Sequence, residues 1–126
     1  MYSSDSDGLR AARAQLVSYS ARLLADGLAI GSAGNISVRV GEDVAITPSG
    51  IPYDAMRPED ICVVAMDGTE LSSSETPSSE TPMHLAIYAA ANAMAVVHTH
   101  SPEVIALSAS RPELPAIHYA ITGQAG

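Results

Sequence analysis

Two histidines one residue apart, His98 and His100 in the run AVVHTHSP, are the most evident chemistry in this sequence. Ala95, Val96 and Val97 before them are short and apolar, so the run reads as a buried strand. Side chains alternate faces along a strand, which places both imidazoles on one side with Thr99 turned away. Such positions lie about 7 Å apart, close enough for two rings to lean toward one ion. Neutral imidazole suits zinc and several other divalent metals. Two ordinary polar histidines at a strand end would satisfy the same spacing.

Upstream lies a repeat: Ser73-Ser74-Glu75-Thr76-Pro77 is followed at once by Ser78-Ser79-Glu80-Thr81-Pro82. The second copy stands at a helix start, because Pro82 fits a first turn, where its missing N–H costs nothing, and MHLAIYAAANA continues the helix. The free N–H groups and dipole of such an end favour an anion, and the hydroxyls of Ser78 and Ser79 add donors. A carboxylate at Glu80 beside a metal can be a ligand, a base, or each in turn. A plainer alternative has one serine capping the helix and Glu80 offsetting its dipole. The first copy lies farther from the helix and reads as a loop insertion. Two small-residue turns also suit an anion: Ser32-Ala33-Gly34-Asn35, where glycine lets the backbone approach a ligand closely, and Thr47-Pro48-Ser49-Gly50. Either could equally be a plain turn.

The elements that must position these residues follow from periodicity. Leu9, Ala12, Leu16, Val17, Leu23 and Leu24 recur at helical spacing over 9–26, and Gly27 is a plausible left-handed stop. Ile36, Val38 and Val40 alternate as a strand; VAIT and ICVVAM supply two more, and Asp67-Gly68 signals a hairpin before Thr69-Glu70-Leu71. Ser101-Pro102-Glu103 reads as N-cap, proline and acidic first turn of a last helix. Helices alternating with strands, alongside hairpin signals, favour an α/β layer structure with a mixed sheet.

Composition narrows the function. The 126 residues suffice for one domain, and 47% are apolar, but there is no Phe and no Trp, so the core must be built of small aliphatic side chains. The lone cysteine, Cys62, reads as a core residue because a disulfide framework needs pairs. A net charge of −8 with scattered arginines offers no footprint for nucleic acid. No apolar run is long enough to span a membrane, and the acidic N-terminus is unlike a signal peptide, so a cytoplasmic protein is expected.

GSAGNISVR, ITPSGIPYD, PSSETPMHLAIY, AVVHTHSP and LPAIHYAI, in this order, resemble the class II aldolase/adducin family, with its fuculose-phosphate aldolase-like members nearest. The resemblance implies one domain over residues 1–126, a three-layer α/β/α sandwich with a mixed β-sheet, C-terminally incomplete and covering the first two-thirds of the family domain. It implies that His98 and His100 are two of three zinc histidines, the third lying beyond Gly126. Glu80 would be a zinc ligand and acid/base, and Tyr119 a proton donor. Ser32, Asn35, Ser49, Gly50, Ser78 and Ser79 would hold a substrate phosphate. The implied activity is zinc-dependent cleavage of a phosphorylated ketose, such as L-fuculose 1-phosphate, into dihydroxyacetone phosphate and an aldehyde, by a homotetramer. A pentulose-phosphate 4-epimerase, a sugar-phosphate dehydratase and a non-catalytic adducin-like binding module are the alternatives. Glu75 has no counterpart in the pattern. His84 reads as packed or supporting a ligand, and His118 as structural or interfacial.

Overall fold

The computed structural model describes residues 7–72 and 74–113. Tyr119 and His118 therefore lie outside the described residues. The chain runs α1 (Asp7–Ala25), β1 (Asn35–Val40), β2 (Asp43–Ile46), β3 (Cys62–Ala65), β4 (Glu70–Ser72), α2 (Thr81–Ala90), β5 (Ala95–His98) and α3 (Pro102–Ser110). A 3-10 turn at Pro58–Asp60 precedes β3. Hydrophobic periodicity carries no sign of it. It is fixed by Asp60, whose buried carboxylate accepts from the Arg57 backbone N–H at 2.8 Å and from the guanidinium at 2.8 Å.

The strands form one five-stranded sheet in the order β4-β3-β2-β1-β5, and every described pairing is antiparallel. A tight turn joins β1 to β2, a longer connection that holds the 3-10 turn joins β2 to β3, and another tight turn joins β3 to β4. At the last of them Asp67 accepts from the Thr69 N–H, and Gly68 takes φ +89°, where a side chain would be strained. α2 then carries the chain across one face to the opposite edge, where β5 pairs with β1.

Alternation along the central strands builds two cores. Ala45 and Val63 face α1, packing with Leu9, Leu16 and Leu23. Val44, Ile46, Cys62 and Val64 face the other way and pack with Tyr88 of α2 and Val96 of β5. The sheet is thus a middle layer between α1 and α2, the expected α/β/α arrangement. Leu9, Leu16 and Leu23 recur every seventh residue, so one helix face carries the contact. Truncating such a residue, as in Leu16→Ala, typically costs about 2–5 kcal/mol. On the α1 side an apolar hollow of about 390 Å³ lies among Leu16, Tyr19, Leu23, Val38 and Val97. None of the candidate catalytic, metal or phosphate residues lines it. No helix among the described residues is long and apolar enough to cross a membrane.

Candidate active site

Asn35, Ser37 and His98 share the α2 face of the sheet. Asn35 opens β1 and lies directly opposite His98, the last residue of β5. Directly opposed residues in an antiparallel pair lie on the same face, side by side. Gly34 makes this junction possible. It takes φ +79°, and a Cβ there would sit 2.6 Å from the His98 carbonyl oxygen. The glycine expected to admit a ligand is thus required by the approach of another strand. His100 is held just beyond β5 by its own N–H, which donates to the Leu28 carbonyl at 2.8 Å. The two imidazoles converge to a centroid distance of 4.8 Å.

A pocket of about 310 Å³ opens beside them. Every site residue proposed from the described part of the sequence lines it except His98, which adjoins it through Asn35. The turns that bring these residues together are tied to one another. Pro48 and Pro77 form an isolated antiparallel bridge, Ser49 N–H donates to Thr76 O at 2.8 Å, and Ser78 N–H donates to Thr47 O at 3.2 Å. The repeat is therefore stitched to the end of β2 through its first copy, which is more than the loose insertion its composition suggested. Glu75 is half-buried; its carbonyl accepts from the Cys62 thiol, and its charge is felt by Arg57. It does not line the pocket, whereas Glu80 does.

The start of α2 differs from the expected anion cradle. Glu80 occupies the N-cap without a side-chain cap bond. The Ser78 hydroxyl accepts from Glu80 N–H at 3.2 Å, Thr81 N–H donates to Ser78 O, Met83 N–H donates to Glu80 O, and Pro82 has no N–H. The early amides are spent on a tightened turn. Donors left for an anion are neutral: the exposed hydroxyls of Ser32, Ser49 and Ser79, which have no hydrogen bond among the described residues, and the Asn35 amide group. No arginine lines the pocket. The Glu80 carboxylate, free of capping, can take or give a proton there.

Behind the pocket runs a chain of short hydrogen bonds. Asn35 Oδ1 lies 3.2 Å from His98 Nδ1 and 2.6 Å from His84 Nε2. His84 Nδ1 lies 2.6 Å from Ser37 Oγ, which lies 2.8 Å from the Tyr88 hydroxyl. His84 is fully buried, and burial chiefly, with the charge of His98 adding, pushes its pKa down to about 4. It is a neutral donor–acceptor at neutral pH. Sequence reasoning placed His84 near the site but could not find this chain, whose links join residues 47 to 63 positions apart. A polar serine inside β1, at a position facing α2, was the available signal.

The donor set can be compared with what a divalent ion requires. Two imidazoles on one tetrahedral ion, each bound at about 2.0–2.1 Å, hold their ring centroids roughly 5 Å apart. The pair His98 and His100 meets that spacing. With Nδ1 of His98 turned to Asn35, Nε2 is its available nitrogen. Among the described residues no group of three or more His, Cys, Asp or Glu is placed to hold a metal, so Glu80 does not complete a trio with the histidines.

The family profile described as Class II Aldolase and Adducin N-terminal domain matches residues 14–125. The 5-deoxy-D-ribulose 1-phosphate aldolase of Bacillus thuringiensis serovar kurstaki is 39% identical over 116 residues, which cover 90% of this chain and 54% of that protein. The L-fuculose phosphate aldolase of Haemophilus influenzae is 43% identical over 96 residues, covering 75% of this chain and 44% of that one. Among solved structures, an L-fuculose 1-phosphate aldolase superposes with a TM-score of 0.81 at 33% identity, over 93% of this chain and 55% of its own. The chain spans about half the length of the curated relatives it matches.

Proposed function

The chain belongs to the class II aldolase/adducin family, and on that premise we propose that it carries out reversible aldol cleavage of a ketose 1-phosphate. The observation that carries this reading is the pocket in which Glu80, His100 and the neutral donors Ser32, Ser49 and Ser79 meet. All six basic residues are arginines, so these 126 residues offer no lysine for a Schiff base. A divalent metal, zinc by preference, would be held by His98 and His100 and would supply Lewis-acid stabilisation of negative charge on substrate oxygen.

The chain's own residues perform the remaining steps. The phosphate is bound by the hydroxyls of Ser32, Ser49 and Ser79, the Gly50 backbone and the Asn35 amide, with buried Ser78 holding the turn. In cleavage the C3–C4 bond breaks, the C4 hydroxyl proton leaves as the aldehyde forms, and C3 of the departing enediolate gains a proton. Glu80 delivers that proton, and removes it in the synthetic direction; a positioned acid/base group is worth about 10²–10⁴-fold in rate. Tyr119 is assigned to the hydroxyl proton at C4. The protein acts in the cytoplasm as a homotetramer, without nucleic acid or membrane as partner.

The test supplies L-fuculose 1-phosphate and 5-deoxyribulose 1-phosphate separately to the zinc-loaded protein and follows dihydroxyacetone phosphate release. Solvent-proton exchange at dihydroxyacetone phosphate alone isolates the Glu80 step. Exchange without cleavage would redirect the substrate. Epimerised or dehydrated product would replace the reaction by one of its relatives, and zinc binding with no exchange would favour a binding module. Sedimentation velocity tests the tetramer.

A further inference from the structure

We propose that Tyr88, Ser37, His84 and Asn35 form a polarised hydrogen-bond chain whose role is to fix which ring nitrogen of His98 carries the proton. The inference rests on the reading of His98 as a metal ligand, and three of the four members, Tyr88, Ser37 and His84, have no part in the phosphate and proton-transfer roles. Three links are short, 2.8 Å from Tyr88 to Ser37, 2.6 Å from Ser37 to His84 and 2.6 Å from His84 to Asn35, and the last, from Asn35 to His98, is 3.2 Å. Tyr88, Ser37, His84 and Asn35 are all buried, so water competes little for their bonds.

The chain can exist in two polarities. With the Asn35 oxygen toward the histidines, both rings must donate to it, because a carbonyl oxygen only accepts. His84 then carries its proton on Nε2, its Nδ1 accepts from the Ser37 hydroxyl, and the Ser37 oxygen accepts from Tyr88. His98 carries its proton on Nδ1 and presents a bare Nε2. With the Asn35 amide reversed, every proton moves to the other side of its link, and His98 Nε2 becomes protonated and closed to a metal. Reversal would direct the Ser37 proton at the Tyr88 oxygen, and this is the one hydrogen bond the Tyr88 hydroxyl makes among the described residues. The Tyr88 proton would then lack an acceptor among the described residues, at the cost of a buried unsatisfied donor. The first polarity is selected far from the ion. A second partner that orients a ligating histidine and sets its tautomer commonly changes metal affinity by about 10–100-fold when removed.

Ring ¹⁵N shifts of His98, read by long-range correlation in the metal-free protein near pH 8, report its tautomer directly. The expected result is Nδ1–H in the wild type, a mixture of tautomers in Ser37→Ala, and a fall in zinc affinity of about 10–100-fold in that variant, measured against a chromophoric chelator. Adding Asn35→Asp to Ser37→Ala should restore Nδ1–H, because a carboxylate can only accept. A wild-type His98 protonated on Nε2 would overturn the proposal without any variant being needed. So would a Ser37→Ala protein whose His98 tautomer is unchanged. A wild type with the Nδ1–H tautomer that mixes in Ser37→Ala but binds no zinc would leave the chain established and remove the metal reading instead.

Discussion

The pentapeptide Ser-Ser-Glu-Thr-Pro occurs twice in succession, and its two copies are built into different structures. Pro77 of the first copy pairs with Pro48 across an extended bridge; Pro82 of the second begins a helix. Thr76 is exposed, whereas Thr81 is buried with its hydroxyl donating to Ser78 O at 2.6 Å. Glu75 lies on the side of Arg57, and Glu80 lines the pocket. Identical local chemistry thus yields an anchor in one copy and a site in the other. The residues immediately C-terminal to each copy make the difference: only the second runs into the helix-forming Met83-His84-Leu85, and a helix fixes the carboxylate at its start.

The largest expected difference between the copies is catalytic. Glu80→Gln should lower turnover by about 10²–10⁴-fold in the ketose phosphate cleavage assay, while Glu75→Gln should stay within about twofold. A loss of similar size in both would mean that the copies share the proton transfer.

A second difference is carried by the helix that only the second copy starts. His84 is held neutral in the fold, with a pKa near 4, against 6.5 when the chain is unfolded. The unfolded state therefore takes up a proton that the folded state refuses. The stability from keeping His84 neutral is complete above about pH 6.5 and is lost as pH falls toward 4, by at most about 3 kcal/mol. Urea unfolding at a series of pH values should show this slope, and His84→Gln should flatten it.

The serines should separate next. Ser79→Ala should weaken inorganic phosphate binding by roughly 10–100-fold, as expected for a lost hydrogen bond to a charged group of about 1.5–3 kcal/mol, while Ser74→Ala leaves it unchanged. Isothermal titration with phosphate at constant ionic strength reads both. The smallest contrast is in the threonines. Thr81→Val removes a buried bond and should cost about 1–2 kcal/mol in thermal unfolding, and Thr76→Val at an exposed position should fall within about 0.5 kcal/mol.

The sequence carried much of the architecture because the relevant signals are local. Val44-Ala45-Ile46 and Cys62-Val63-Val64 read as strands from side-chain type alone, and their alternation divides two cores as a sheet covered on both faces requires. Family motifs singled out the pocket's residues together. Spacing could not say what those residues would bond to. Ser101 was readable as an N-cap, yet its hydroxyl donates to the Glu103 carboxylate and caps nothing. Asn35 was readable as a phosphate donor, yet its oxygen is committed to two histidines. Such choices depend on which groups the fold brings together from distant positions, and no local pattern encodes them.

The order of the strands has a consequence for how the site comes into being. β1 to β4 each pair with the next strand in the chain, but β5 returns to β1 across the longest separation, with Asn35 meeting His98 over 63 residues. Loop-closure entropy disfavours long returns, and contacts of long range form late. The meander should therefore assemble first, with the histidine strand arriving as a final closure that creates the pocket. In native-state hydrogen exchange, Val96 should exchange through an opening that leaves Val63 and Val64 protected. Equal protection would place the closure within the first cooperative step. On this kinetic view the chain has no functional site until its slowest contact is made, and the same contact is the first to open.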